Sequence, residues 1–226
     1  MERVDMLRIG YTKRRKIPIF YFFDDAARVW DLDYFLKSFF PCLKLLLTEV
    51  KSIKDRVVTL KDGWKLDVLC ASCLARETAA WKYYLPPFSL EGKTVLDIGA
   101  GCGETARFFL KNGAKLVLCV EKNQKYTPYL FENQIIDSRI EVFPEGFNPN
   151  HLLKLDYDFV KIDIEGYETL ILNWIRDGIL SKSDDLKPTI LETHSTYIED
   201  EFKKLGFKIL LDISSELKIM SNIKGY

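Results

Sequence analysis

A glycine-rich turn at residues 97–104 separates an apolar run from a predicted helix. Its glycines permit a tight turn and a close backbone approach to a ligand, which suits a dinucleotide, a phosphate or S-adenosylmethionine. Asp97 and Glu104 would repel a pyrophosphate, whereas an ammonium and a sulfonium meet no such penalty. The glycine spacing also departs from G-x-G-x-x-G. The sequence therefore favours S-adenosylmethionine over NAD, and the predicted cofactor contacts in this turn are Asp97, Gly99, Ala100 and Gly101.

Further candidate contacts follow the next two predicted strands. Glu121 stands just after the second strand, where a carboxylate can accept hydrogen bonds from the ribose hydroxyls of an adenosine. Glu145 and Phe147 follow the third strand, where Glu145 could accept from the exocyclic amine of adenine and Phe147 could cover the ring. The remaining predicted cofactor contacts are Lys122, Asn123, Gly146 and, after the fourth strand, Asp163.

Three carboxylates and a lysine occupy residues 161–168, directly after the fourth predicted strand. Asp163 is expected where a methyl acceptor approaches the sulfonium, and a nearby base is what a hydroxyl acceptor requires. Neighbouring acids raise each other's pKa, which helps one of them act as that base. We therefore predict functional roles for Asp163 and Glu165. Glu168 is interpreted as an acid that begins a helix and complements its dipole.

His194 ends the fifth predicted strand, two residues after Glu192. It could be the general base, orient the acceptor, or be a hydrogen-bonded residue at the rim with no chemical role. Together with Asp163 and Glu192 it could also hold a divalent metal that binds the acceptor hydroxyl, although no metal is predicted. The catalytic candidates are Asp163, Glu165 and His194.

Short apolar strands alternate with helical stretches from residue 92 onward. This alternation predicts an α/β domain over residues 86–226, a doubly wound Rossmann-like sheet with ligands at the carboxyl ends of its strands. The predicted strands lie at residues 94–98, 116–120, 140–143, 159–162 and 189–191, followed by a closing pair at 208–211 and 217–220. All the candidate residues named above fall at the ends of these strands.

Residues 1–85 have a different pattern and are predicted to form an N-terminal helical and β-hairpin cap. Apolar residues recur at three- and four-residue spacing between Leu36 and Val50, which indicates a helix that Pro41 should kink. An Asp-Gly turn between residues 58–60 and 64–68 predicts a β-hairpin. A second helix is expected over residues 75–84.

The overall composition excludes some classes of protein. The 33 basic and 33 acidic residues balance, so no overall field draws the protein to nucleic acid or to an anionic membrane. The basic cluster at residues 13–16 is the exception, and the apolar run after it is too short to span a bilayer. Five cysteines without a secretory context predict a reduced, cytoplasmic protein.

The region from Glu77 to Glu192 resembles the FkbM-type methyltransferases of the Rossmann-like class I superfamily. The resemblance rests on Asp97-x-Gly99-x-Gly101, Glu121, Glu132-Asn133 and Lys161-x-Asp163-x-Glu165-Gly166-x-Glu168. It implies a seven-stranded sheet with an antiparallel last strand, and O-methylation of a hydroxyl on a sugar or another small molecule. The first eighty residues fit the family pattern loosely, and substrate selection is expected there.

Two other functions share the same cofactor loop. An RNA methyltransferase acting on base nitrogens often carries Asn/Asp-Pro-Pro-Tyr after the fourth strand, where this chain has the acidic residues 163–166, which suit a polyphosphate backbone poorly. A non-catalytic binding module with this fold is disfavoured by the intact glycine turn and by Glu121. The acceptor predicted from the sequence is therefore a small molecule or a glycan, with nucleic acid and a membrane span not expected.

Overall fold

The computed structural model describes residues 7–11, 18–22, 32–75, 84–180, 186–212 and 218–223, with side chains at 40–75, 84–180, 186–210 and 218–223. The chain forms two compact units, residues 1–81 and 82–226. Whether each unit folds as an independent domain, with a boundary at residue 85, stays a prediction. The basic cluster at residues 13–16 and most of the helix predicted at 75–84 lie outside the described residues.

Within the first unit, β1 (Leu7–Tyr11) pairs antiparallel with β2 (Pro18–Phe22), and α1 covers Leu32–Thr48. The predicted hairpin is confirmed as β4 (Val57–Leu60) and β5 (Lys65–Asp67), to which β3 (Val50–Lys54) adds a third antiparallel strand. Placing Val50 in the helix was wrong, because the helix ends at Thr48. Val68 likewise begins α2 (Val68–Cys73) instead of extending β5, since the Asp67 side chain caps that helix by accepting from the Leu69 amide.

Seven strands of the second unit form one sheet within the described residues. Four of the parallel strands are buried at nearly every position, which explains their near-continuous apolar sequences. In chain order the strands are β6 (Thr94–Ile98), β7 (Leu116–Val120), β8 (Ile140–Phe143), β9 (Phe159–Ile162), β10 (Thr189–Thr193), β11 (Lys208–Asp212) and β12 (Lys218–Ser221).

The spatial strand order is β11-β12-β10-β9-β6-β7-β8. Neighbours from β10 to β8 pair in parallel, whereas β12 is antiparallel to both β10 and β11. This topology confirms the predicted doubly wound α/β sheet with an antiparallel last strand. The strand order reverses between β6 and β9, and the crevice at such a reversal is where open α/β sheets bind ligands.

Helices connect the parallel strands: α3 (Glu104–Lys111), α4 (Thr127–Ile136), α5 (Pro149–Lys154), α6 (Thr169–Arg176) and α7 (Thr196–Lys204). Four of them match predicted helical stretches. Helix α5 was not predicted from the sequence, and its capping box joins Asn148 and His151. No helix in the described part of the chain is both long and apolar enough to span a membrane.

Candidate functional site

The glycine turn after β6 is held by two carboxylates. Glu121, at the end of β7, accepts from the Gly101 amide through Oε2 at 3.0 Å and from the Asn123 amide through Oε1 at 2.7 Å. Glu104, the first residue of α3, accepts from the Cys102 amide at 2.9 Å. Two N–H groups that could bind a phosphate are therefore bonded to carboxylates, and the turn presents negative oxygen atoms to a ligand.

Two other buried polar side chains, those of Asn133 and Asp97, hold the turn and the start of α3 in place. Asn133, fully buried on α4, donates through Nδ2 to the Cys102 carbonyl at 2.9 Å. Asp97 is also fully buried and accepts from the Thr105 hydroxyl. The predicted cofactor contact Asp97 thus lies beneath the turn, and Ala100 is buried as well.

The glycine turn packs directly against the acidic segment that follows β9. A Cβ atom on Gly99 would lie 1.7 Å from the carbonyl oxygen of Asp163, and the Gly99 φ of +78° is left-handed. The Asp163 amide donates to the Ile98 carbonyl at 3.0 Å. Glycine is required at position 99 because the two backbones touch, so the structure brings together the two segments that the sequence marked separately.

Lys161 lies under this junction and is almost completely buried. Its Nζ donates to the Gly99 carbonyl at 2.9 Å and is 3.3 Å from Asp97 Oδ1 and 3.6 Å from Asp163 Oδ2. Burial by itself lowers the pKa of Lys161, but the surrounding carboxylates, led by Asp97 and Asp163, raise it above its usual range. Lys161 is therefore a charged group inside the site at neutral pH.

The Asp163 carboxylate has two different oxygen environments. Oδ2 faces Lys161 and accepts a long hydrogen bond, 3.4 Å, from the hydroxyl of the buried Tyr84. Oδ1 is buried and has no hydrogen-bond partner among the described residues. The same Tyr84 hydroxyl lies closer to Glu192, so its single proton is shared between the two carboxylates. An orphaned carboxylate oxygen next to the glycine turn is an acceptor that a ligand donor can satisfy.

His194 lies among three carboxylates. Its Nδ1 is 2.9 Å from Oε1 of the fully buried Glu168, and its Nε2 is 3.5 Å from both Glu165 Oε2 and Glu192 Oε1. Burial lowers the pKa of His194, but the hydrogen bonds with Glu168 and Glu192 outweigh it and raise the pKa to about 10. At neutral pH the ring is a cation and cannot accept a further proton.

Sequence reasoning missed two residues of this group. The interpretation of Glu168 as a helix-opening acid was incomplete, because its carboxylate is buried and accepts from the Gly166 amide and from His194. Tyr84 gave no local signal, since its partners lie 79 and 108 residues away. The sequence did offer one signal for Glu168 and His194: a glutamate directly precedes an apolar helix, and a histidine ends a neighbouring strand.

Ligand atoms of Asp163, Glu192 and His194 lie within 4.8 Å of one another, a spacing that a divalent metal could bridge. Burial, together with the charge of Asp163, raises the pKa of Glu192. Two cations, Lys161 and protonated His194, already offset these carboxylates. The absence of a metal from this group stays a prediction.

The predicted adenine contacts, Glu145 and Phe147, already have partners in the chain. Glu145 is bound through Oε1 to His151 at 2.8 Å, and Phe147 stacks on the same imidazole with a 6.1 Å centroid separation. Phe147 also meets Trp174 edge-on at 5.0 Å. Gly146 has open space around it, and Lys122 lies over the ring of Tyr167. Contacts of these residues with a cofactor stay predictions.

No family model and no curated protein match the chain. It is similar to solved structures of methyltransferases. The C-terminal domain of precorrin-6Y C5,15-methyltransferase from Rhodobacter capsulatus matches with 18% identity and a TM-score of 0.47, over 66% of this chain and 88% of that one. The ribosomal protein L11 methylase of Lactobacillus delbrueckii subsp. bulgaricus matches with 21% identity and a TM-score of 0.43, over 58% and 69%.

A third similar structure is a putative tRNA (m1A22) methyltransferase from Streptococcus pneumoniae in complex with S-adenosyl-L-methionine. It matches with 16% identity and a TM-score of 0.42, over 59% of this chain and 66% of that chain. The chain thus spans about two thirds of the length of the pneumococcal protein. Membership of the FkbM-type family stays a prediction, because no family model matches.

Proposed function

We propose that this chain is an S-adenosylmethionine-dependent methyltransferase that methylates a hydroxyl group of a small molecule or sugar. The observation that carries the proposal is the pair of carboxylates, Glu121 and Glu104, bonded to amides of the glycine turn. A turn with its N–H groups used in this way repels phosphates and attracts a cationic ligand. S-adenosylmethionine has the required charges, an ammonium and a sulfonium.

The residues of the turn fit this cofactor. Each oxygen of Glu121 accepts one backbone N–H and keeps a lone pair, which the two ribose hydroxyls can use. Asp163 Oδ1 has no hydrogen-bond partner among the described residues and lies on the segment that touches Gly99. When bound, S-adenosylmethionine would supply an electrophilic methyl group, so that the protein's main tasks are alignment and proton removal.

Asp163 is the base that this arrangement favours for the acceptor hydroxyl. No described residue hydrogen-bonds its Oδ1, whereas His194 is already protonated at neutral pH because its pKa is raised to about 10. In the proposed reaction the hydroxyl donates to Asp163 and loses its proton there as it is methylated. In this proposal Glu165, whose side chain is 84% exposed, accepts hydrogen bonds from other hydroxyls of the acceptor.

The cofactor part of the proposal is tested by calorimetry with S-adenosylmethionine and S-adenosylhomocysteine. We expect micromolar binding that Glu121→Gln weakens tenfold or more, about 1.4 kcal/mol. Glu141→Gln, which changes an exposed glutamate on the adjacent strand β8, is the matched control and should bind like the wild type. Absence of binding by folded wild-type protein would overturn the proposal.

The acceptor part is tested by S-adenosylhomocysteine release with panels of hydroxylated metabolites and glycans. Asp163→Asn should abolish turnover of any accepted hydroxyl compound. Transfer RNA and ribosomal RNA belong in the same panel at low and high salt. Methyl incorporation into RNA, and not into hydroxyl compounds, would replace the proposed acceptor with a nucleic acid and leave the cofactor proposal standing.

A further inference from the structure

Lys161 is a buried cation that the proposed chemistry does not use directly. It lies on β9 with its side chain 1% exposed and faces three groups, Asp97 on β6, the Gly99 carbonyl in the turn after β6, and Asp163 after β9. A lysine is rarely buried so completely unless its charge is compensated. The cost of burying it indicates that this ammonium has a specific task at the junction.

The contacts of Lys161 join the cofactor turn to the acidic segment. Gly99 and Asp97 belong to the β6 side of the junction, and Asp163 belongs to the β9 side. Among the described groups that face Asp163 Oδ2 are the Lys161 ammonium at 3.6 Å and the Tyr84 hydroxyl at 3.4 Å. Both act on the same oxygen, and in the part of the chain that the structure describes Oδ1 has no hydrogen-bond partner. The orientation of the carboxylate therefore depends on Lys161.

The charge of Lys161 also affects the field that a bound cofactor would meet. Asp97, Asp163, Glu104 and Glu192 all act electrostatically on Lys161, so the ammonium partly cancels a strongly negative cluster. A unit charge several ångströms from a ligand in a partly buried site changes the affinity for a cation by about tenfold. A neutral ligand of the same shape is much less sensitive to that charge.

We propose that Lys161 is a positioning residue: it fixes Asp163 with Oδ2 against the ammonium and Oδ1 available to the ligand, and its charge sets how strongly the site prefers a sulfonium over a neutral thioether. The inference rests on the proposed function. Lys161 itself touches neither substrate nor cofactor, and it acts through Asp163 and the Gly99 carbonyl.

The first test compares the dissociation constants of S-adenosylmethionine, which carries the sulfonium, and S-adenosylhomocysteine, which does not. Lys161→Met should increase the preference for the sulfonium ligand about tenfold, because the remaining carboxylates are less compensated. Asp163→Asn should decrease it by a similar factor, and Lys161→Arg, which keeps the charge, should change it less than twofold. An unchanged preference in folded Lys161→Met overturns the proposal.

Lys187→Met is the matched control for loss of a lysine charge. Lys187 precedes β10 and donates to the carbonyl of Tyr157, which precedes β9. Both residues therefore lie at the amino ends of the parallel strands, whereas the glycine turn lies at the carboxyl ends. Its substitution should leave the ratio of the two dissociation constants within twofold of the wild type. A structural defect alone would weaken both ligands equally, so the ratio separates positioning from a general loss of folding.

Lys161→Met leaves several buried carboxylates uncompensated and can fail to fold. The second test therefore uses Lys161→Arg, Asp163→Asn and the double variant in a double-mutant cycle. We expect Lys161→Arg to weaken S-adenosylmethionine at least threefold alone and less than twofold when Asp163 is already Asn. Additive effects would show that Lys161 does not act through Asp163.

The failure of this inference can be distinguished from the failure of the proposed function. If the wild type binds neither ligand, the proposed function fails. If the wild type binds both ligands but the ratios of the dissociation constants are unchanged and the effects are additive, only the inference about Lys161 is refuted.

Discussion

The ammonium of Lys122 lies 3.8 Å from the centroid of the Tyr167 ring. Lys122 follows β7 and Tyr167 follows β9, and β6 lies between these two strands in the sheet. The contact therefore joins the two loops that flank the glycine turn. Tyr167 is 53% exposed, so the cation–π contact is its main described restraint on the β7 side.

Removal of this contact is expected to speed ligand exchange at the glycine turn. Exposed cation–π contacts contribute about 0.5–1 kcal/mol, so Tyr167→Ala should raise the dissociation rate of S-adenosylhomocysteine about two- to fivefold in stopped-flow displacement. Tyr167→Phe keeps an aromatic face for Lys122 and is the matched control, with a rate close to that of the wild type. Equal rates in the Ala and Phe variants would show that the contact does not restrain the ligand.

Gly99 and Gly178 form a matched pair for testing the junction between the two loops. Both have left-handed backbones, with φ of +78° and +72°. A Cβ added at Gly99 would clash with Asp163, whereas a Cβ added at Gly178 would meet no atom within 4 Å. Gly178→Ala should cost about 1 kcal/mol of unfolding free energy from its backbone alone, and Gly99→Ala at least about 3 kcal/mol. Urea unfolding measures both, and equal losses would contradict the close packing of Gly99 on Asp163.

The strands and the carboxylates at their ends were predictable because both signals are local. A parallel strand buried on both faces, such as β7, is a short continuous apolar run, and the residue after it faces the ligand edge of the sheet. Glu121 was found in this way. Its second function, accepting from the Gly101 amide, depends on the parallel pairing of β6 with β7 and needed the structure.

The interior of the site was not predictable from local pattern. Lys161 is buried because β9 pairs with β6, which brings it next to Asp97, 64 positions earlier in the chain. Glu168 has a local explanation as a helix-opening acid, and its partner His194 lies 26 residues away. Tertiary contacts decide which charged residues of an acidic motif become buried and paired. Sequence spacing alone does not predict those contacts.

Asn133 supports the glycine turn from α4, and its loss should affect both stability and ligand binding. Asn133→Ala leaves the Cys102 carbonyl without this buried donor, which should cost about 1–3 kcal/mol of unfolding free energy. Gln134→Ala, at the adjacent and less buried position of the same helix, is the control and should cost less than about 0.5 kcal/mol. Urea unfolding of the two variants provides the comparison. Equal costs would mean that the Asn133 hydrogen bond contributes little.

His194 should make the stability of the protein depend on pH above neutrality. The groups that face its ring are Glu165, Glu168 and Glu192. Its pKa is raised to about 10 in the folded protein and is near 6.5 when unfolded, so folding favours the protonated ring. The resulting stabilisation is complete below pH 6.5 and is lost as pH rises toward 10. After allowance for solvent screening we expect a loss of about 1–2 kcal/mol.

This loss should lower the thermal midpoint by roughly 2–8 °C between pH 6.5 and 10. His194→Gln cannot titrate and should remove that part of the slope, so the difference between wild type and variant isolates the imidazole from the lysines that also titrate near pH 10. Because the chain has only two histidines, imidazole NMR signals give a direct check: the signal that His194→Gln removes should keep its protonated shift beyond pH 8. Titration of that signal near pH 6.5 would mean that the carboxylates do not hold the proton, and His194 would then regain the role of candidate base.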